Sequence, residues 1–263
     1  MSAVSASLAA RVGNSAFDAW DAVKGLYGVF VRTLYFCARG KREKHDVLIQ
    51  MYAIGNKSLP FMCVTMGFIG MIMVYQAGMQ TKRILPEFGM VGAAYLELLI
   101  RDFAASIGAL MLATRVGAGI AAEIGSMVVT EQVDALRMSG ADPVDFLIVP
   151  RFLASLLMTT VLIALGGLVA FLTGMVTARF FFDVRFDIFA NLQLVDAGDL
   201  TIGLAKCVAY GAAIPIVSGY AGLSTEGGSE GVGSATTRAV VNSSLAILIL
   251  NLVISAAGFV VFR

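Results

Sequence analysis

Four ionisable residues interrupt stretches of sequence that are otherwise long and apolar. Glu97, Arg101 and Asp102 lie in one such stretch, and Lys206 lies in another. An ionisable side chain in hydrocarbon is costly, so it normally faces protein or a water-filled cavity. Glu97 and Arg101 stand four residues apart and can pair along one helix face. Asp102 points about 100° away from Arg101, which makes Lys206 a candidate partner for Asp102.

These charges allow three interpretations. Two cations near one depth, with carboxylates as counter-charges, could hold an anionic group. The same residues could relay ions in a stand-alone secondary transporter, although the inverted repeats typical of that class are not evident. They could also pair only to keep two helices in register.

Covalent catalysis is not indicated. An enzyme acting on lipids inside the membrane would need a nucleophile–base pair or a metal site. His45 is the only histidine, and the three cysteines, Cys37, Cys63 and Cys207, are far apart. Such cysteines are more typical of packing residues than of a disulfide or metal set. We therefore predict no catalytic residue and no metal ligand in this chain.

The composition is that of an integral membrane protein. Of the 263 residues, 58% are hydrophobic and only 14% are charged, and the mean hydropathy is +0.84. Soluble domains are usually nearer one quarter charged. The net charge of +1 does not favour a nucleic-acid partner. No secretory signal is predicted ahead of the first apolar segment.

Five apolar segments predict an all-α, polytopic membrane fold. Each reaches the ~20 residues that a ~30 Å hydrocarbon layer requires. They occupy about 59–78, 90–113, 146–178, 200–223 and 240–262. Basic residues are more frequent before the first segment and in the central stretch than in the alternate loops. This bias predicts a cytoplasmic N-terminus and a periplasmic C-terminus.

The residues before the first apolar segment predict a helix in the membrane interface. Aromatic and aliphatic residues recur at helical spacing with charges between them, namely Phe17, Trp20, Val23, Tyr27, Phe30 and Leu34. An aromatic-rich amphipathic helix of this kind lies in the interface, although a soluble helix packed on a partner is the alternative. Residues 1–10 are expected to be disordered. A basic patch suited to anionic headgroups follows, comprising Arg39, Lys41, Arg42 and Lys44. The sequence thus divides into an N-terminal interfacial segment, 1–58, and a membrane domain, 59–263.

The central stretch combines a small-residue helix with a short amphipathic one. Small residues that allow close helix packing in lipid recur every fourth position, at Ala105, Ala109, Ala113, Gly117, Ala121 and Gly125. Residues 126–138 then predict a helix with an apolar face of Val129, Val133 and Leu136 opposite a charged face. Asp142 and Pro143 are typical of the N-cap and first position of the next helix. The pattern favours a short helix on the membrane surface that faces a soluble partner; an ordinary surface loop is the alternative.

The sequence AEIGSMVVTEQVDALRMSGADP, followed by FLIVPR, resembles the signature of the MlaE (YrbE) family of ABC-transporter permeases. A second similarity lies in GSATTRAVVNSSL, and a looser one in GFIGMIMVYQ. The resemblance runs from about Leu59 to the C-terminus, which makes 59–263 a permease domain and 126–138 its coupling helix. It implies the permease subunit of a system that exchanges phospholipids between the bacterial inner membrane and a periplasmic carrier, and so maintains outer-membrane lipid asymmetry.

The resemblance also implies partners. The family works as a homodimer on a cytoplasmic ATPase dimer, with an MCE-domain lipid carrier on the periplasmic side and, in some systems, a STAS-type accessory protein. ATP and Mg would be bound by the ATPase, so no cofactor is expected in this chain. The glycine-rich loop 224–237 lacks the Gly-Lys-Ser/Thr ending of a phosphate-binding loop and is interpreted as a linker.

Site residues follow from the same resemblance. The positions matching Arg101, Asp102 and Lys206 contribute to the polar part of the lipid-binding cavity, and we add Glu97 as a counter-charge. The residues expected to contact the ATPase are Glu123, Glu131, Gln132, Asp134 and Arg137. The family usually has Gly-Pro shortly after the charged pair, whereas this chain has Phe103-Ala104-Ala105, which predicts a straighter helix. The segment 179–199 could cover the membrane exit, touch a periplasmic partner, or form a simple interfacial loop.

Overall fold

The chain folds into a helical bundle. The computed structural model describes residues 2–39, 44–84, 89–191 and 193–261, and those ranges contain no strand. The α-helices are α1 (Ser2–Arg39), α2 (Lys44–Ile84), α3 (Gly89–Leu98), α4 (Ala104–Leu112), α5 (Ala118–Val129), α6 (Gln132–Met138), α7 (Val149–Phe182), α8 (Phe186–Phe189), α9 (Ala197–Leu223) and α10 (Gly228–Val261). Three π-helical segments, π1 (Leu99–Phe103), π2 (Ala113–Gly117) and π3 (Val144–Ile148), join some of them. The predicted all-α fold is confirmed.

Five helical stretches are long and apolar enough to cross a membrane. They are His45–Arg83, Gly92–Val129, Val144–Phe182, Ala197–Leu223 and Gly228–Val261, and they confirm the five predicted spans. A stretch of 39 residues, such as the first or the third, extends for roughly 58 Å at ~1.5 Å per residue. The hydrocarbon layer is only about 30 Å thick. The helices therefore project beyond the apolar segments that the sequence marks.

The N-terminal helix α1 is continuous from Ser2, so the expected disorder of residues 1–10 is wrong for residues 2–10, and Met1 lies outside the described residues. It packs on α9 at Gly25, where an added Cβ would lie 2.6 Å from Cε2 of the Tyr220 ring. A larger residue there would require the Tyr220 ring to move. The aromatic side chains that remain exposed include Phe17, Trp20 and Tyr27. The helix therefore presents a free aromatic face, as an interfacial helix requires.

The predicted basic patch is only partly described. Lys41 and Arg42 lie outside the described residues. The Arg39 guanidinium donates a hydrogen bond of 2.6 Å to the Tyr35 hydroxyl and lies 5.6 Å from the centre of that ring. Arg39 therefore ends α1 stacked on its own helix.

The small-residue stripe of the second span packs against α9, as its spacing predicts. All six of its residues are buried: Ala105, Ala109, Ala113, Gly117, Ala121 and Gly125. A Cβ on Gly125 would lie 2.8 Å from Oγ1 of Thr225, just beyond the end of α9. A Cβ on Gly117 would lie 2.9 Å from Oγ of Ser218 on α9, so the glycines of this stripe let the second span approach the fourth closely.

The second span is not the straighter helix that the missing proline predicts. It is interrupted by π1 and π2, in which the hydrogen-bonded turn is wider than in an α-helix. Single π-turns of this kind are frequent at functional sites. Arg101 and Asp102 both lie in π1.

The predicted amphipathic helix 126–138 is two elements. The second span continues to Val129, and Glu131 then takes a left-handed conformation with φ 58° before α6 begins at Gln132. The surface helix is therefore shorter than expected. Its Val133 is buried and Leu136 is half-buried, but Val129 is 37% exposed and does not belong to the buried face.

The turn after α6 forms as predicted. Gly140, with φ 80°, lies in it. The carboxylate of Asp142 then accepts a hydrogen bond of 2.9 Å from the Val144 backbone N–H, which is the geometry of an N-cap. This cap starts the third span two residues after Asp142.

Candidate functional site

The buried charges join the second span to α9. The Lys206 ammonium, on α9, lies 2.5 Å from the Asp102 carboxylate in π1, and only 1% of the Lys206 side chain is exposed. The Ser106 hydroxyl, one turn further along, donates a hydrogen bond of 3.2 Å to the same carboxylate. The pairing of Asp102 with Lys206 inferred from the sequence is therefore present.

Arg101 pairs with a different carboxylate from the one predicted. Its guanidinium lies 3.4 Å from Asp199 in the first turn of α9, and Glu97 forms no ion pair within the described ranges. The predicted Glu97–Arg101 pair is wrong because Arg101 lies in π1. The wider turn there removes the i, i+4 alignment of a regular helix.

Asp199 pairs with Arg101 and also caps the start of α9. It forms a capping box with Asp196. The Asp196 side chain accepts a hydrogen bond from the Asp199 backbone N–H, and the Asp199 side chain accepts one from the Asp196 backbone N–H. The bond from the Asp196 N–H to Asp199 is 3.1 Å. Sequence reasoning missed Asp199 by leaving it in the preceding loop. The signal was present: two acidic residues three apart before an apolar run indicate a helix start.

The close approach of α9 to π1 depends on Gly203. A Cβ at this position would lie 2.4 Å from the carbonyl oxygen of Ile100, so no larger residue fits. The glycine brings the two backbones together between the Arg101–Asp199 pair and the Asp102–Lys206 pair. These two pairs are seven residues apart on α9, roughly 10 Å at ~1.5 Å per residue.

An apolar pocket opens beside this charged cluster. It has a volume of about 470 Å³, within the range of small-molecule sites. Its wall comes from the second span, α7 and α9, and includes Leu99, Ile100, Ala164, Gly167, Phe171 and Gly203. Leu99 and Ile100 precede Arg101 and Asp102 directly in π1. None of the four charged side chains lines the pocket itself; the pocket is joined to the charged cluster through the neighbouring residues of π1 and α9.

Four of the five predicted coupling residues lie together at α6. Glu131, Gln132, Asp134 and Arg137 are all exposed, and Arg137 pairs with Asp134 at 3.0 Å. Glu123 lies elsewhere. It is one helix earlier, on α5, where the Arg151 guanidinium at the start of α7 lies 3.0 Å away. Arg151 is buried and also donates a hydrogen bond of 2.6 Å to the Leu147 carbonyl, so Glu123 joins two spans within the chain.

Residues 47–257 match the family model described as Permease MlaE. The chain belongs to the MlaE permease family.

No group of three side chains suited to holding a metal occurs in the part of the chain that the structure describes.

Relatives with similar sequences carry related names. A probable ABC transporter permease protein of Synechocystis sp. is 36% identical over 222 residues, which cover 82% of this chain and 83% of the relative. One of Rickettsia prowazekii is 35% identical over 215 residues, with coverages of 81% and 83%. The chloroplastic protein TRIGALACTOSYLDIACYLGLYCEROL 1 of Arabidopsis thaliana is 34% identical over 227 residues, with coverages of 84% and 63%. These names make the chain an ABC-type permease, which implies an ATPase partner and does not favour a stand-alone secondary transporter.

In this MlaE permease the segment between the third and fourth spans is anchored to α3. Phe189 of α8 is buried, and a Cβ on Gly92 of α3 would lie 2.4 Å from its carbonyl oxygen. Nearby, Arg185 donates two hydrogen bonds to the Asp187 carboxylate, and this lowers the pKa of Asp187 below its ordinary value. The α8 part of this segment therefore packs against α3, beside the second span.

Proposed function

We propose that the chain is the membrane subunit of an ABC system that transfers phospholipids between the bacterial inner membrane and a periplasmic MCE-domain carrier. In that role it helps to maintain outer-membrane lipid asymmetry. The observation that carries the proposal is the charged cluster around Lys206 beside the apolar pocket. A phosphate group would meet the cations, while the acyl chains would lie against Ala164, Gly167 and Phe171. The name of the plant relative, which contains that of a diacylglycerol lipid, supports a glycerolipid as substrate.

The chain acts as a homodimer in this proposal, with the lipid between two copies. The fifth span supports it. Only 11% of the most apolar part of this span is buried within one copy, and Asn242, a polar amide, is exposed on it. Asn242 lies near the start of the apolar segment 240–262, and helix–helix hydrogen bonds satisfy such amides in lipid.

The ATPase dimer docks at α6 and supplies the energy by hydrolysing ATP with Mg. The exposed charges of α6 and its short buried face suit a helix held between membrane domain and soluble partner. The distribution of basic residues favours a cytoplasmic N-terminus and α6 and a periplasmic C-terminus. A STAS-type protein attends the ATPase, and the MCE carrier meets the opposite face.

Lipid analysis of the purified transporter tests this function. Arg101→Ala and Lys206→Ala should each reduce bound phospholipid and transport, while the dimer still assembles with its ATPase. Lys82→Ala, which removes an exposed cation at the end of α2, is the matched control. Normal lipid content in both site variants, or loss of lipid only through misassembly, would contradict the proposal.

A further inference from the structure

A second pocket, which has polar walls, lies between α2 and the segment formed by π2 and α5. Its volume is about 170 Å³. The charged and hydrogen-bonding side chains on its wall are Gln50, Lys57 and Ser58 of α2, with Arg115 and Glu123 across from them. Gln50 and Lys57 lie about two turns apart on α2, and Arg115 and Glu123 lie about two turns apart on the opposite segment. The pocket is therefore formed by two packed helices.

The pocket carries two positive charges without counter-charges. The Arg115 Nε donates a hydrogen bond of 2.8 Å to the Lys57 carbonyl oxygen, which holds the guanidinium at the pocket. Neither Arg115 nor Lys57 forms an ion pair within the described residues. Glu123 does not neutralise them, because the Arg151 guanidinium lies 3.0 Å from its carboxylate. The two cations are therefore available to an anion.

The position of the pocket along the helices indicates headgroup depth. Lys57 and Ser58 directly precede the apolar segment 59–78, and Arg115 follows the apolar segment 90–113. The turns of α2 inside the apolar segment expose Leu59, Val64 and Phe68 by 40%, 58% and 59%, and Tyr52, which is 69% exposed, lies just outside it. Tyrosine is enriched where hydrocarbon meets headgroups. This flank of α2 therefore faces lipid, and the pocket opens on the α6 side of the membrane.

We propose that this pocket binds the phosphate of an anionic phospholipid from the leaflet on the α6 side. An arginine fork holds phosphate through two parallel hydrogen bonds, and lysine adds a point charge. The acyl chains would lie along the exposed apolar face of α2. This site is distinct from the one at Lys206, because Arg101 and Arg115 are separated by roughly 21 Å along the second span at ~1.5 Å per residue.

Native mass spectrometry of the intact transporter in detergent tests the site, with phosphatidylglycerol or phosphatidylcholine added. Each Lys or Arg near anionic lipid contributes about 1 kcal/mol, so Lys57→Gln should weaken phosphatidylglycerol binding about fivefold. The Lys57 side chain forms no hydrogen bond or ion pair within the described residues, so this change should leave folding intact. Arg115→Gln should act similarly and Arg115→Lys less, while Lys82→Gln at the other end of α2 should have no effect.

Two comparisons separate this site from its alternatives. Lys57→Gln should weaken phosphatidylglycerol binding equally in an Arg101→Ala background. The test of this pocket therefore does not depend on lipid transport at the Lys206 cluster. Inorganic phosphate alone should bind far more weakly than phosphatidylglycerol. Equal binding of phosphate and lipid would identify a free-phosphate site and overturn the proposal. Unchanged phosphatidylglycerol binding in both Lys57→Gln and Arg115→Gln would also overturn it.

Discussion

Lys206 is almost fully buried in α9, and its ammonium lies 2.5 Å from the carboxylate of Asp102 in the second span. Removing one partner of a buried ion pair leaves an uncompensated charge, which typically costs about 3–5 kcal/mol. The Asp102 side chain is 38% exposed, so we expect Lys206→Met to cost about 3 kcal/mol, at the lower end. Thermal unfolding of the purified protein would measure this loss.

The double variant Asp102→Asn/Lys206→Met separates the pair's structural contribution from its function. Neutral residues of similar shape leave no charge unpaired, so the double variant should recover most of the stability that Lys206→Met loses. A double variant less stable than Lys206→Met would show that the two residues do not act as a pair.

Asp199 should matter as a cap as well as an ion-pair partner. Asp199→Ala removes both the hydrogen bond from the Asp196 N–H and the contact with Arg101. We expect a loss of about 1–2 kcal/mol in unfolding free energy, since a lost cap alone typically costs ~1 kcal/mol. Asp199→Asn keeps an acceptor oxygen and should lose less. Equal losses in the two variants would show that only the charge contributes.

The apolar pocket should accept acyl chains. Ala164 lines it, whereas the neighbouring Leu165 does not. Ala164→Phe should therefore fill the pocket and lower the phospholipid that co-purifies, without altering any charge. Leu165→Phe, on the same turn of α7, is the control. The prediction fails if both variants retain the same amount of lipid.

How much of this could be predicted from the sequence depends on whether the cause is local. The five spans could be found because runs of ~20 apolar residues are a strong signal. Asp102 and Lys206 could be paired because buried charges require partners. The pairing of Arg101 with Asp199 instead of Glu97 could not be predicted. It depends on π1, and no residue in that segment indicates a wider turn. The apolar pocket likewise arises from three spans that meet only in the fold.

The surface helix α6 should be needed for ATPase association but not for folding. Glu131→Lys and Asp134→Lys reverse exposed charges, and we expect less ATPase to co-purify with the permease. Asp187→Lys, which changes an exposed carboxylate in the segment anchored to α3, should not alter it. Undiminished co-purification with both α6 variants would count against the docking surface.

The position of α1 in the membrane plane can be measured by cysteine labelling, with Cys37, Cys63 and Cys207 replaced first. Trp20 is 59% exposed and the Asp21 side chain 76% exposed, so burial within the protein does not distinguish them. A cysteine at Trp20 should contact the bilayer, and one at Asp21 should react with a water-soluble reagent. Equal aqueous reactivity would indicate a soluble helix.

The most direct test of phospholipid binding at the charged cluster is the lipid content of the Asp102→Asn/Lys206→Met transporter. Hydrogen bonds to charged groups contribute about 1.5–3 kcal/mol. Loss of the Lys206 contact should therefore weaken phospholipid binding by about tenfold or more. We predict that the double variant assembles and unfolds almost as the unaltered protein does, but co-purifies with little phospholipid. A stable double variant that carries the normal amount of lipid would show that these charges only hold the helices together, and would contradict the proposed function.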